Sequence, residues 1–301
     1  MELEHAADIE YEREWGLAET AKAAGRLDDA LQHYAASLAV ARTTADQELI
    51  DRAFCNYSAV AVALGRGEEV ATGLAEVLMR NGSQVSCFLA ANNIARICEL
   101  RRDNKRGLFY ARIARDRAGL LDRPEWLAVA DNQIANLLLA DSQFDAAATA
   151  YREALALVDA VDITRQVTFK ANLGYCEIIL GRLRDGVALL YDCLRQARRH
   201  RAPRLEMVAR VDLCYAHVEL GRFDSARRHG RRGLALAESI GETDWIKNAL
   251  YLLGEAAVLS GDSSRAYAWF HELQRRFYPQ QAHLPDLLLS VDIRKLINLR
   301  A

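Results

Sequence analysis

The chain has 301 residues, 51% of them hydrophobic and 27% charged, with only 4 Pro and a formal net charge of −2. That length and apolar content suffice for a large core, and the scarcity of proline suits helices. No apolar run approaches 18 residues, so no membrane span or membrane partner is expected.

Read in chain order, apolar spacing and breakers predict helices over 8–24, 27–42, 46–64, 67–80, 84–101, 104–119, 124–140, 144–158, 163–180, 183–200, 203–220, 223–239, 243–260, 263–276 and 285–299. The phrase Gly25-Arg26-Leu27-Asp28-Asp29-Ala30 marks the first joint. It returns at Gly65, Gly181, Gly221 and Gly261, with looser copies at Arg102 and Ser142. The successive spacings are 40, 37, 40, 39, 40 and 40 residues. A fixed period of this size means stacked supersecondary units, each touching its neighbours. The glycine supplies a left-handed helix end. Gly174 and Gly186 lack side chains where two helices of one unit must approach. Pro124, Pro203 and Pro285 sit just inside helix starts, where a missing N–H costs nothing.

The acidic opening Met1-Glu2-Leu3-Glu4-His5 lacks the apolar core of a signal peptide, so a cytoplasmic location is expected. Cys55, Cys87, Cys98, Cys176, Cys193 and Cys214 are scattered, with no C-x-x-C pair and no His at ligand spacing. They read as free thiols packed as small hydrophobes. No metal or cofactor is expected. Charge is uneven: residues 1–50 carry 11 acidic and 4 basic side chains, and residues 181–235 carry 13 Arg against 6 Asp plus Glu. Such polarity steers charged partners or favours head-to-tail contact, and a homo-oligomer stays open. Heavy Ala, Arg and Leu usage suggests a GC-rich bacterial genome.

Leu173-Gly174, Leu253-Gly254, Leu17-Ala18, Ile134-Ala135 and Leu213-Cys214 pair a large residue with a small one in first helices. Ala30 with Tyr34, Ala147 with Tyr151 and Ala266 with Phe270 repeat Ala-x-x-x-aromatic in second helices. On these residues the chain resembles the tetratricopeptide repeat family over about residues 10–277. It departs from the pattern in a unit near 40 rather than 34 residues, in mostly lacking the closing Pro, and in Val70 and Gly107 where Ala is usual. Kinesin light chains and bacterial peptide-pheromone receptors are long-unit members. The resemblance implies an all-α, right-handed superhelical solenoid of seven antiparallel helix pairs over 1–278. Residues 279–301 would form a linker and a C-terminal capping helix.

In that family the first helices line the concave groove. The position two residues before the small one gives Gly16, Asn56, Asn93, Gln133, Asn172, Asp212 and Leu252. Asparagine is a poor helix-interior residue, so its recurrence asks for a reason. An amide matches the N–H and C=O of an extended peptide. In long-unit relatives Asn at this position holds a ligand backbone, which implies Asn56, Asn93, Gln133, Asn172 and Asp212 as readers. The alternative is that these amides bond between adjacent helices or stand solvated. Neighbours on the same face are Arg52, Asn92, Arg96, Asn132, Asn136, Tyr175, Tyr215, Asn248, Tyr251 and Glu255. Arg52 and Arg96 suit a ligand carboxylate, and the tyrosines suit either a binding surface or internal packing. The paired Lys and Asn of chaperone-tail binders are not evident.

Arginines crowd Arg195–Arg204 and Arg227–Arg232. No base-stacking aromatics interleave with them and the pI is about 6.4, which argues against nucleic acid. A solvated face is the first reading, and an acidic protein patch is the partner expected there. No nucleotide-binding or hydrolase motif occurs, and His217 is expected to be packed or hydrogen-bonded, so no enzyme is expected. The sequence therefore points to a non-enzymatic scaffold that binds an extended peptide or protein tail. The alternatives are a peptide-gated regulator and, third, a nucleic-acid-associated adaptor. Pheromone-receptor relatives carry an N-terminal effector domain. About ten residues precede the first repeat here, so the gated reading needs an effector on a partner chain.

Overall fold

Each recurring phrase turns the chain by one mechanism. Gly181 sits at φ +78°, its N–H bonds the Ile178 carbonyl at 3.0 Å, and Arg182 N–H bonds the Glu177 carbonyl at 2.8 Å. That six-to-one closure satisfies carbonyls the ending helix would leave orphaned. The same closure recurs at Arg26, Arg66, Asp103, Arg222 and Asp262. In the two loosened copies Arg102 and Ser142 hold the left-handed conformation without glycine, at φ 59° and 58°.

The structure is a computed structural model that describes residues 2–121, 123–158, 162–293 and 298–299. It is all-α. Among the described residues fifteen helices follow in order: α1 Glu2–Ala23, α2 Leu27–Ala41, α3 Gln47–Ala63, α4 Gly67–Arg80, α5 Gln84–Leu100, α6 Asn104–Gly119, α7 Pro124–Ala140, α8 Phe144–Ala156, α9 Ile163–Ile179, α10 Leu183–Arg199, α11 Pro203–Glu219, α12 Phe223–Ile240, α13 Thr243–Leu259, α14 Ser263–Phe277 and α15 Leu284–Ser290. Side-chain caps open several of them. Asp46 accepts from Glu48 and Leu49 N–H, and Asp103, Asp162 and Asp262 each accept from the N–H three residues on. No described helix is long and apolar enough to cross a membrane.

The chain divides into two compact units, Met1–Ala140 and Asp141–Ala301. In the first, the pairs α1/α2, α3/α4 and α5/α6 are followed by α7, and the first helices α3, α5 and α7 lie against one another. Its core gathers Tyr34, Cys55, Leu74 and Ile97, with Phe88 against Trp126 beyond. In the second, α8 packs on α9, and the pairs α9/α10, α11/α12 and α13/α14 bring α9, α11 and α13 side by side. Its core runs through Leu190, Leu213, Leu250, Leu253 and Phe270. Glycine permits the closest approach: a Cβ on Gly186 would stand 2.8 Å from the Gly174 carbonyl oxygen.

Two helix bounds differ from expectation. α1 starts at Glu2, six residues early. α15 spans Leu284–Ser290, where a helix over 285–299 is expected; residues 294–297 of that range lie outside the described residues. The chain turns extended at Val291, φ −127° and ψ 122°. β-branched Val291 and Ile293 are stiff helix formers, and Ile293 and Leu299 find apolar cover against the α11–α14 core instead.

Candidate functional site

The first-helix face of the first unit turns its amides inward. Asn93 on α5 donates from Nδ2 to the Cys55 carbonyl of α3 at 2.9 Å, and Gln133 on α7 donates to Glu99 Oε2 of α5 at 2.8 Å. Both side chains are buried. They fill a carbonyl and a carboxylate that would otherwise be costly to bury. Burial pushes the Glu99 carboxyl up, against the lowering pull of its Gln133 bond and of Arg96. Asn92 and Asn132 stand one residue ahead of this pair. Their Oδ1 atoms are buried with no hydrogen-bond partner among the described residues. Burial pushes the Tyr11 hydroxyl of α1 up, against the lowering pull of Arg52 on α3. Asn56, Arg96 and Asn136 are half-buried on the same helices.

The face formed by α9, α11 and α13 is arranged differently. Asn172 is half-buried and Asp212 buried, and Leu252 belongs to the core. Tyr175 and Tyr215 sit with ring centroids 5.9 Å apart, and Tyr251 and Glu255 are buried. Asn248 on α13 donates from Nδ2 to the Leu299 carbonyl at 2.9 Å. Leu299 N–H donates to the Tyr175 hydroxyl at 3.0 Å, and that hydroxyl donates to Asn298 Oδ1 at 3.2 Å. Two side chains from different first helices thus hold both backbone groups of one residue in a non-helical segment. Tyr175 and Asn248 are readable candidates in the sequence. The segment they hold, 123 and 51 residues away in the chain, carries no local signal of its place.

Two other clusters escape sequence reading. Glu177, buried on α9, is bonded by both Arg152 of α8 and Arg182 of the turn phrase. The position of Arg182 just past a helix end is the one available hint. Tyr191 Oη lies 2.9 Å from His217 Nε2 and 3.4 Å from His229 Nε2, and the two imidazoles stack 5.5 Å apart. Burial pushes both histidines down, His229 to about 4, with His217 and nearby arginines adding to that shift. His229 is therefore not part of an exposed basic stripe.

Much of the arginine cluster is internally paired. Arg195 bonds Asp192, Arg204 bonds Glu242 at 2.7 Å and Arg227 bonds Asp224. Arg199, Arg201, Arg231 and Arg232 are exposed. The Asp192 carboxyl, raised by desolvation, is held below its ordinary range by Lys170 and Arg195. All six cysteines are free and buried, and burial raises the Cys55, Cys193 and Cys214 thiols, the last two to about 12. Such thiols are poor nucleophiles. Among the described residues no three His, Cys, Asp or Glu side chains gather as a metal site.

No family model matches the chain, and no curated protein matches it. Solved structures do. A Rap protein complexed with competence and sporulation factor superposes with a TM-score of 0.72 at 12% identity, over 95% of this chain and 79% of that one. The apo form of RapI gives 0.68 at 10% identity, over 96% and 85%. BtubC (BKLC) from P. vanneervenii gives 0.57 at 16%, over 76% and 92%. The fold is thus a tetratricopeptide-like helical repeat, similar in structure to Rap proteins and to BtubC.

Proposed function

We propose that this helical-repeat protein is a non-enzymatic, cytoplasmic scaffold whose first-helix faces form a concave groove for an extended peptide or protein tail. The observation that carries the reading is the pairing of Tyr175 and Asn248 with both backbone groups of Leu299. Side chains that satisfy a peptide N–H and C=O bind extended chain whatever its sequence, and neighbouring side chains then select among sequences. Asn172, Tyr215 and Asp212 continue that face. To Tyr251 we assign a flanking contact on this face, and to Arg52, Asn56, Arg96, Asn132 and Asn136 contacts on the first-helix face of the first unit, taken by itself. To Asn93 and Gln133, engaged with neighbouring helices, we assign the spacing of the groove wall. A Rap protein complexed with competence and sporulation factor is a structure of similar fold, and the six buried thiols fit a reducing compartment.

The test is selection of random 12-residue peptides on the full chain, followed by affinity measurement on Asn172→Ala and Asn248→Ala variants. Each substitution is expected to weaken binding by about fivefold, the worth of one net hydrogen bond. Recovery of no binder, or of binders indifferent to both substitutions, removes the reading.

A further inference from the structure

The arginines of the second unit take no part in the groove and carry a pattern of their own. The motif Arg-x-x-Arg-Arg occurs twice, as Arg195, Arg198 and Arg199 on α10 and as Arg228, Arg231 and Arg232 on α12. We propose that these two arginine triads form a docking surface for an acidic polypeptide segment, an Asp- and Glu-rich stretch of a partner protein. The surface belongs to second helices rather than to the first-helix faces, so it does not rest on the groove reading.

All six side chains are exposed. On a helix, residues three and four apart are neighbours, so each triad sets like charges side by side and weakens the helix that carries it. Elsewhere the chain avoids this. Arg26, Arg66 and Arg275 each meet a carboxylate three residues away, at 2.6, 2.6 and 2.9 Å. On this face such carboxylates are scarce. α12 has no Asp or Glu between Asp224 and Glu238, and α10 has none after Asp192. Arg195 meets Asp192 at 3.0 Å, Arg198 comes only within 4.0 Å of Glu206, and Arg228 bonds the Ser225 hydroxyl. Arg199, Arg231 and Arg232 make no ion pair among the described residues. A ligand that brings carboxylates removes the repulsion and gains charge-assisted hydrogen bonds from planar guanidinium groups.

The triads are brought near each other where their helices meet. Tyr191 Oη of α10 reaches His229 Nε2 of α12 at 3.4 Å, with ring centroids 5.7 Å apart. Arg195 lies one turn beyond Tyr191, Arg228 is next to His229, and Arg232 follows His229 by three residues. Burial first, then His217, Arg210, Arg228 and Arg232, hold His229 down to about 4, so the positive field extends across this joint. Two observations favour polypeptide over nucleic acid. α10 and α12 expose no Phe, Tyr or Trp on which a base could stack. Exposed Asp185 and Asp224 stand on the same helices and repel an unbroken run of phosphates. A polypeptide can set uncharged residues opposite them.

The experiment uses the full chain and a fluorescein-labelled synthetic peptide with two runs of three glutamates separated by glycine and serine. Fluorescence anisotropy at low salt is expected to show binding that weakens as salt is added, since the contacts join exposed charges. Arg231→Glu combined with Arg232→Glu should weaken binding at least about tenfold. Arg231→Gln combined with Arg232→Gln, which removes charge without adding repulsion, should give a smaller loss in the same direction. Arg42→Glu combined with Arg112→Glu makes the same change of net charge at exposed positions of the first unit. It should leave binding within about twofold of the unmodified chain. Circular dichroism of each variant separates lost binding from lost fold. Absence of binding to the unmodified chain, or equal weakening by the two glutamate pairs, overturns the proposal. So does tighter binding of a single-stranded oligothymidylate of equal charge, which would give this face to nucleic acid.

Discussion

The first-helix faces of the two units put the same residue types to different uses. On α5 and α7 the amides of Asn93 and Gln133 close onto neighbouring helices. On α9 and α13 Tyr175 and Asn248 close onto the backbone of a non-helical segment. A repeated polar position therefore does not define its own role. In the first unit the side chain is consumed in spacing the helices, and in the second it holds chain that lies on the face.

The comparison can be broken most forcefully at the glycines that set helix spacing. Gly107 in the first unit and Gly186 in the second hold corresponding positions in the repeat phrase. A Cβ on Gly186 would stand 2.8 Å from the Gly174 carbonyl oxygen, a backbone atom that has no room to give. A Cβ on Gly107 would meet Leu137 Cδ2 at 2.5 Å, the end of a flexible side chain. Gly186→Ala is expected to cost about 3 kcal/mol of stability and Gly107→Ala about 1 kcal/mol, read by chemical denaturation. Equal costs would show that the two units are packed with the same tolerance.

A second difference is confined to the second unit. His217 and His229 are stacked, buried and bridged by Tyr191, with Arg210, Arg222, Arg228 and Arg232 close enough to disfavour a positive imidazole. An unfolded chain takes up protons on these rings near pH 6.5, whereas folded His229 does so only near 4. The unfolded state therefore binds more protons between those values. Stability is full above about pH 6.5, falls as the pH drops towards 4, and is lower by about 2 kcal/mol at the bottom of the window. Hydrogen exchange between pH 7 and 4.5 should show α11 and α12 losing protection before α3 and α5. His229→Phe, which keeps the ring stack without a titrating nitrogen, should flatten the dependence. An unchanged pH profile in that variant would assign the loss elsewhere.

The opposed roles of the amides predict opposed phenotypes. Asn93→Ala leaves the Cys55 carbonyl buried and unpaired, at a cost of about 1.5 kcal/mol. Asn248→Ala releases a contact to Leu299 and should change stability by less than about 0.5 kcal/mol while it frees that residue. Thermal melts of the two variants, paired with exchange at Leu299, check both halves. A destabilised Asn248→Ala would mean that the second face is as structural as the first.

Much of the fold is legible in the sequence because the requirement for a left-handed residue at the joint inside each helix pair recurs with the repeat. Most predicted helix bounds fall within one or two residues of those observed. The bounds that fail are the start of α1 and the end of α15, after which Ile293 and Leu299 pack against the second unit's core. The site is less legible. Spacing places Asn92 and Asn93 on the same helix, one residue apart. Only the helix rotation decides which amide meets the Cys55 carbonyl. Tyr191, His217 and His229 come from three helices and form a cluster that no local pattern announces.

The smallest expected effect concerns the joints themselves. Ser142 and Arg102 hold φ near +60° without glycine, while five other joints use it. A side chain in that region costs about 1 kcal/mol, and glycine gives back part of the gain through its freer unfolded chain. Ser142→Gly should raise stability by about 0.5 kcal/mol in a denaturation experiment. Gly181→Ala should lower it by about 1 kcal/mol, since the added Cβ meets strain in the backbone rather than any neighbouring atom. A neutral Ser142→Gly would mean that the hydroxyl contributes as much to this joint as the strained backbone takes away, and that the loosened copies are locally adapted rather than merely degenerate.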